Sequence, residues 1–158
     1  MPLKFEHSKE SSVSTVRWKG AIDENWDDGI SKLEEDLEKN VRFYFDSIDS
    51  VNSVGIRRWT NFIENLCKNH KVTYCDCPSV IVSTLNICFG FQGSATVERF
   101  KVEFECPPCG TNLSHYFNGK DSLEKINENI SAVRCPSCNG AVDPTSDLDD
   151  YLEFLQPD

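Results

Sequence analysis

Two short cysteine pairs constrain this chain more than any other feature of its sequence. The first pair lies in Cys106-Pro107-Pro108-Cys109-Gly110 and the second in Cys135-Pro136-Ser137-Cys138-Asn139-Gly140. A gap of two residues lets both sulfurs of a pair point toward one centre, while proline bends the chain and glycine accepts the positive φ of a tight turn. The 25 residues between Cys109 and Cys135 leave room for a hairpin and one inserted helix. The pairs therefore predict a single four-cysteine zinc site.

Other interpretations of these cysteines stay open at this point. The pairs are also compatible with two disulfides, with free thiols that cap turns, or with iron, because rubredoxin-type sites use similar CxxCG pairs. The aromatic pattern that accompanies such iron sites is not evident here, which favours zinc. Four thiolates leave no open coordination position, so Zn²⁺ in this site would be structural and would not activate water. Oxidation of the thiolates with release of zinc, as in a redox sensor, is a further alternative.

The size and charge of the chain limit its partners. A chain of 158 residues, 39% hydrophobic, can bury one ordinary core and a small metal-stabilised unit. The net charge is −10, and the segment 143–158 holds six acidic residues and no Lys or Arg. Nucleic-acid binding depends on basic surfaces that release phosphate counterions, so we expect no nucleic-acid partner.

The sequence also favours a cytoplasmic protein with no membrane partner. It contains no apolar run of membrane-spanning length, and Met1-Pro2-Leu3-Lys4 does not begin a signal peptide. Four further cysteines lack metal-site spacing, and we interpret them as reduced core residues rather than as disulfides or a second metal site. These are Cys67, Cys75, Cys77 and Cys88.

Hydrophobic periodicity predicts an α/β protein. The predicted strands are 2–7, 12–18, 41–46, 71–76 and 97–104, with a turn at 20–23. The predicted helices are 25–39 and 53–69, a short helix that begins near Asp121-Ser122, and a last one over 147–155 that begins with Ser146-x-x-Asp149. The segment 78–90 fits a helix that starts at proline or a strand, because periodicity does not separate the two over so short a run.

The stretch Phe43–Trp59 carries a family resemblance. A hydrophobic strand, a polar loop and then Asn-Ser-x-Gly-hydrophobic at a helix start resemble the STAS family, the domain of bacterial anti-sigma factor antagonists. In that family the motif is Asp-Ser-Ser-Gly-Leu, and a partner kinase phosphorylates the first Ser. The 20–23 turn and the 78–90 segment fit the same family, so the resemblance covers roughly residues 2–105. It implies a mixed sheet with helices on one side.

The resemblance assigns regulatory and partner-binding roles to Asn52, Ser53, Val54 and Gly55. Ser53 stands at the phosphorylated position, whereas Asn52 and Val54 depart from the family's Asp and second Ser. A phosphate on Ser53 would be tolerated at a helix N-terminus and would disrupt a docked interface by repulsion. The alternative is that Ser53 is simply the N-cap of the helix.

These observations divide the chain into a STAS-like domain at 1–105, a zinc-ribbon lobe at 106–142 and an acidic C-terminal helix at 143–158. We expect the ribbon to be inserted before the family's last helix rather than to replace it. The leading hypothesis is a signalling module that binds an anti-sigma factor, a kinase-like protein or a sensor complex through residues 52–58. The alternative is an adaptor that binds through its ribbon and acidic helix.

An enzyme is not expected. The three histidines His7, His70 and His115 are isolated in the sequence. No Ser-His-Asp order, phosphate-binding loop or HExxH motif is present, and the paired cysteines are assigned to metal.

Overall fold

A five-stranded sheet organises the N-terminal two thirds of the chain in the structure, a computed structural model that describes residues 2–156. Its strands, in spatial order, are β1 (Lys4–Glu10), β2 (Val13–Ile22), β3 (Asn40–Val51), β4 (Lys71–Cys75) and β5 (Thr96–Val97). Strand β1 pairs with β2 in an antiparallel hairpin, and every other pairing is parallel. The parallel pairs require crossover connections, which the helices supply.

Three helices pack on one face of this sheet: α1 (Asp28–Asp36), α2 (Ser53–Leu66) and α3 (Ser79–Ile87). Each buries an apolar stripe against the inward side chains of the strands. The centre of the core is aromatic, because the Trp59 ring of α2 lies within 5.7 Å of the rings of Trp18, Phe43 and Phe45. Among residues 2–156, the opposite face of the sheet carries mainly polar side chains, and no helix packs on it.

A second, three-stranded sheet has the order β7-β6-β8 and is antiparallel. It consists of β6 (Arg99–Glu105), β7 (Asn112–Asn118) and β8 (Asp143–Pro144), with α4 (Leu123–Ser131) between the last two. The phenylalanines of β6 and β7 and the isoleucines of α4 are buried in the same hydrophobic cluster as the first sheet. The two sheets therefore share one core. The predicted class, a mixed α/β sheet with helices on one face and a small additional lobe, is confirmed.

The C-terminal segment packs on the body of the protein. It forms α5 (Leu148–Tyr151) and a 3-10 turn, Glu153–Leu155, and its apolar residues Tyr151, Leu152 and Phe154 are buried. The Asn86 side chain of α3 donates to the Tyr151 carbonyl at 2.9 Å and accepts from the Phe154 amide at 2.8 Å. Asp147 caps α5 by accepting from the amides of Asp149 and Asp150, so the predicted Ser146 cap is wrong.

The structure corrects two predicted elements and decides a third that the sequence leaves open. The alternating run 97–104 is not one strand, because β5 ends at Val97 in the first sheet and β6 begins at Arg99 in the second. The predicted turn at 20–23 is mostly strand: β2 continues to Ile22, and Gly20 with φ 99° adjoins a shift in the β2/β3 register. The ambiguous segment 78–90 forms helix α3 with Pro78 at its N-cap, followed by a short 3-10 turn.

Within residues 2–156, no helix combines the length and the apolar character needed to cross a membrane.

Candidate functional site

The four cysteines of the two pairs converge in the structure. Their sulfur atoms all lie within 4.8 Å of one another. Across the pairs, the Sγ atoms of Cys106 and Cys138 are 3.4 Å apart, and those of Cys109 and Cys135 are 3.5 Å apart. A tetrahedral zinc with four sulfurs at 2.3 Å requires sulfur-sulfur distances of about 3.8 Å. The cluster therefore has the size of a four-thiolate metal site.

Each pair sits in a turn that its own backbone closes. In the first turn the Gly110 amide donates to the Cys106 carbonyl at 2.7 Å, and in the second the Asn139 amide donates to the Cys135 carbonyl at 2.8 Å. Gly110 has φ 72°, as the sequence predicts for a knuckle glycine, but in the second turn Asn139 takes the positive φ, 60°. Asparagine tolerates this left-handed conformation better than most residues.

Backbone donors favour the thiolate form of Cys135. A backbone hydrogen bond from Cys109 lowers the pKa of Cys106, but burial and the neighbouring thiols outweigh it and raise that pKa to about 12. The amides of Cys138 and Ser137 point at the Cys135 sulfur and lower the pKa of that thiol to about 6. The Thr111 hydroxyl, 3.1 Å from the Cys109 sulfur, likewise lowers the pKa of Cys109. Metal ligation requires deprotonated cysteines, so this donor set fits a bound cation. All four cysteines are free thiols, which excludes the two-disulfide interpretation for this structure.

The cluster lies where the second sheet meets its connecting loops. The first pair joins β6 to β7, and the second follows α4 and is closed by a bridge between Arg134 and Ala141. Cys106 and Cys135 are buried, whereas Cys109 and Cys138 are exposed. Within residues 2–156, no other group of three or more Cys, His, Asp or Glu side chains is gathered closely enough to hold a metal ion.

The second candidate region is the start of α2. Asn52, not Ser53, is the N-cap: its side-chain oxygen accepts from the Gly55 amide at 2.9 Å. The Asn52 amide group also donates to the Glu24 carboxylate at 2.7 Å, which holds the pKa of Glu24 below its ordinary value. The Asn52 backbone amide donates to the Ile22 carbonyl at 3.1 Å. One residue thus ties the helix start to the end of β2 and to the loop that follows it.

Gly55 brings the helix start into contact with β2. A Cβ atom at this position would lie 1.9 Å from the Ile22 carbonyl oxygen, a distance that no side chain tolerates. The contact buries Gly55 and leaves its neighbours Ser53 and Val54 outward, with Val54 45% exposed. The four predicted residues therefore divide into two that fix the backbone, Asn52 and Gly55, and two that face solvent, Ser53 and Val54.

Sequence reasoning missed Glu24 and Ile22, which hold this helix start in place. Both lie about thirty residues before the motif, and nothing in their local sequence marks them as its partners. Gly55 was the one available signal, since glycine near a helix start permits a close backbone approach.

The four remaining cysteines belong neither to the metal cluster nor to the start of α2. Cys75 and Cys77 are buried in the core, and Cys67 and Cys88 are half-buried. Burial raises the pKa of the Cys75 thiol to about 12, so it stays protonated. Their interpretation as reduced core residues fits the structure.

Comparisons with known proteins find likenesses among solved structures. One is an anti-sigma factor antagonist from Mycobacterium paratuberculosis, 15% identical, with a TM-score of 0.49 over 60% of this chain and 85% of that chain. Another is the unphosphorylated form of the anti-sigma factor antagonist SpoIIAA, 9% identical, with a TM-score of 0.43 over 60% of this chain and 87% of that chain. No family model and no curated protein sequence matches the chain.

Proposed function

We propose that this protein is a non-enzymatic, STAS-type regulatory module that binds a protein partner through the start of α2. The partner class is an anti-sigma factor, a kinase-like protein or a sensor complex, as the resemblance of residues 43–59 implies. The observation that carries the proposal is that two residues of the motif fix the backbone and the other two face solvent. Asn52 and Gly55 fix the backbone through Glu24 and Ile22, and Ser53 and Val54 are thereby held outward.

This arrangement suits a switch. Ser53 is the first residue of α2, where the unpaired backbone amides and the helix dipole tolerate negative charge. A phosphate there would leave the fold intact while it adds about two negative charges to the contact surface. Val54, next to it, supplies apolar area that a partner would cover.

We assign a structural Zn²⁺ to Cys106, Cys109, Cys135 and Cys138. The spacing of their sulfurs and the amides directed at them support this assignment. Zinc would hold the loops of the second sheet together and leave no open coordination position for catalysis. Eight cysteines that form no disulfide among the described residues suit a reducing, cytoplasmic compartment.

The adaptor alternative loses one of its two proposed surfaces. Tyr151, Leu152 and Phe154 of the C-terminal segment are buried, and Leu148 and Leu155 are partly buried against the same core, so this apolar stripe is not free to enter a partner's groove. The exposed part of the cysteine lobe is the surface that this alternative retains.

The test is affinity capture from the native cell, followed by affinity measurement with the captured partner. Ser53→Asp should weaken binding at least tenfold, while Ser53→Ala stays near wild type, because only aspartate brings charge into the interface. The matched control is Ser31→Asp, which adds the same charge at an exposed position of α1.

A lobe variant separates the two hypotheses. Glu124→Ala with Glu128→Ala changes exposed residues of α4 and should leave binding unaltered. If the Ser53 variants both bind like wild type and the α4 variant does not, the adaptor hypothesis replaces the present one.

A further inference from the structure

The outward face of the first sheet, opposite the helices, carries a group of basic side chains that continues onto β6. Side chains alternate along a strand, so Arg17 and Lys19 of β2 and Arg42 and Tyr44 of β3 share that face. Arg99 and Lys101 extend it onto β6. The two sheets adjoin here, because Arg99 forms an ion pair of 2.8 Å with Asp76, which follows β4.

Four of these cations make cation–π contacts with two tyrosine rings. The Arg17 guanidinium lies 4.3 Å from the centre of the Tyr44 ring, and that of Arg42 lies 5.7 Å from it. On the second sheet, Arg99 and Lys101 lie 4.5 and 5.5 Å from the centre of the Tyr116 ring. Cation–π contacts hold long side chains over the sheet and reduce the entropy they lose when a ligand binds.

Part of this charge is already neutralised. Arg42 forms a bidentate ion pair with Glu98, in which each of its two terminal nitrogens lies 2.7 Å from a carboxylate oxygen. Arg99 is paired with Asp76. Arg17, Lys19 and Lys101 have no acidic partner within ion-pair distance among the described residues. Lys19 also stands directly opposite Lys4 in the β1/β2 pair, a like-charge arrangement that is unfavourable in the free protein.

The patch so defined contains six cations and four acids, in a chain whose net charge is −10. The cations are Lys4, Arg17, Lys19, Arg42, Arg99 and Lys101. The acids are Asp76 and Glu98, together with Glu6 opposite Arg17 and Asp46 of β3. Farther along β6 the outward residues are Glu103 and Glu105, so the positive patch ends there. It is a bounded area of positive charge on an acidic protein.

We propose that this patch, the tyrosine-centred basic patch, binds a short acidic segment of a protein partner. Its unpaired cations match two or three carboxylates, and the tyrosine rings offer apolar contact beside them. Long polyanions fit less well, since a nucleic acid or an anionic membrane extends past the patch and meets acidic surface within a Debye length of about 8 Å. The patch is on the opposite face of the sheet from α2, so this surface is additional to the proposed regulatory one.

The test uses the full chain and a fluorescein-labelled peptide of alternating glutamate and serine. Anisotropy should report binding that weakens as salt rises, and the peptide with glutamine in place of glutamate should not bind. The triple variant Arg17→Gln, Lys19→Gln, Lys101→Gln should weaken binding about tenfold or more. The control triple Lys32→Gln, Lys39→Gln, Lys68→Gln makes the same change in net charge at exposed sites elsewhere and should bind like wild type.

Several results would overturn the proposal. One is that the folded wild type does not bind the peptide. Another is that the two triple variants lose equal peptide affinity. A third is that oligo-deoxythymidine or phosphatidylserine vesicles bind in preference to the peptide through the same residues. Self-association that disappears in the first triple variant would identify a second copy as the occupant instead. Ser53→Asp should leave peptide binding unchanged, so failure here is distinct from failure of the proposed function.

Discussion

Replacing Gly55 with alanine tests whether the start of α2 is held against β2 as the structure describes. The added Cβ would lie 1.9 Å from the Ile22 oxygen, 2.3 Å from its carbonyl carbon and 2.7 Å from the Asp23 amide nitrogen. All three atoms belong to the backbone, so no side-chain rotation relieves the contact. The Ile22 carbonyl also accepts from the Asn52 amide, and it cannot retreat without weakening that hydrogen bond.

Opposing free-energy terms decide the sign of the effect. Alanine is favoured over glycine within a helix by about 1 kcal/mol. Overpacking of a tight contact costs about 1–3 kcal/mol, and loss of the Asn52–Ile22 hydrogen bond costs about 1 kcal/mol more. We expect Gly55→Ala to destabilise the protein by about 1–3 kcal/mol, which lowers the urea midpoint by about 1 M at a typical slope.

The chain offers a matched control at the start of α1. Gly29 also lies in a first helical turn, and its amide also donates to a cap, the Asp27 carboxylate. A Cβ at Gly29 would meet only that side chain, at 3.2 Å, so Gly29→Ala should be neutral or slightly stabilising. Tryptophan fluorescence is the assay, because Trp18, Trp26 and Trp59 all pack in or against the core under the first sheet. Equal midpoints for the two variants would refute the close contact at Gly55.

The remaining predictions concern the metal and the core. Purified protein should contain one zinc per chain by metal analysis. Cys135→Ser should lose the metal and raise hydrogen exchange in residues 106–142 more than in the first sheet. Absence of zinc, a red iron-containing protein or an equal rise in exchange over the whole chain would contradict the assignment. Tyr74→Phe should cost about 1–3 kcal/mol in urea unfolding, because the buried hydroxyl accepts from Trp59 at 2.9 Å and donates to the Phe91 carbonyl at 2.6 Å. Tyr44→Phe is the control, because the Tyr44 hydroxyl accepts a long hydrogen bond of 3.4 Å from Arg42, and its loss should change the urea midpoint little. Similar losses of stability in both variants would argue against the Trp59–Tyr74–Phe91 hydrogen bonds.

The sequence predicts the structure correctly where the interactions that form an element are local. The spacing of each CxxC pair predicts a turn around one centre, and both turns form. Helix α2 begins at Ser53 as predicted, because its apolar stripe and the polar cap before it are set by residues within one or two turns. The antiparallel β1/β2 hairpin follows from alternation and a short connection.

Local patterns do not predict the structure where a residue's partner is distant in the chain. The run 97–104 alternates without interruption, yet it is divided between two sheets, and Glu98 at the break is fixed by Arg42 from a strand more than fifty residues earlier. Periodicity records which side chains are apolar and says nothing about which sheet accepts the strand. The N-cap alternative for Ser53 is wrong for a local reason, because the side chain of Asn52 accepts from the Gly55 amide. What the local sequence does not show is that Glu24 and Ile22 hold Asn52 in place.

The sequence by itself determined the four-cysteine cluster, the α/β class and the motif at the start of α2, since each depends on spacing over a few residues or on a period. Tertiary structure decided that the apolar stripe of the C-terminal helix serves the protein's own core. It also decided that Arg17, Lys19 and Lys101 share one surface, although they come from two strands eighty residues apart. Surfaces of this kind arise when distant strands come together, and that step depends on burial of the whole core rather than on any local pattern.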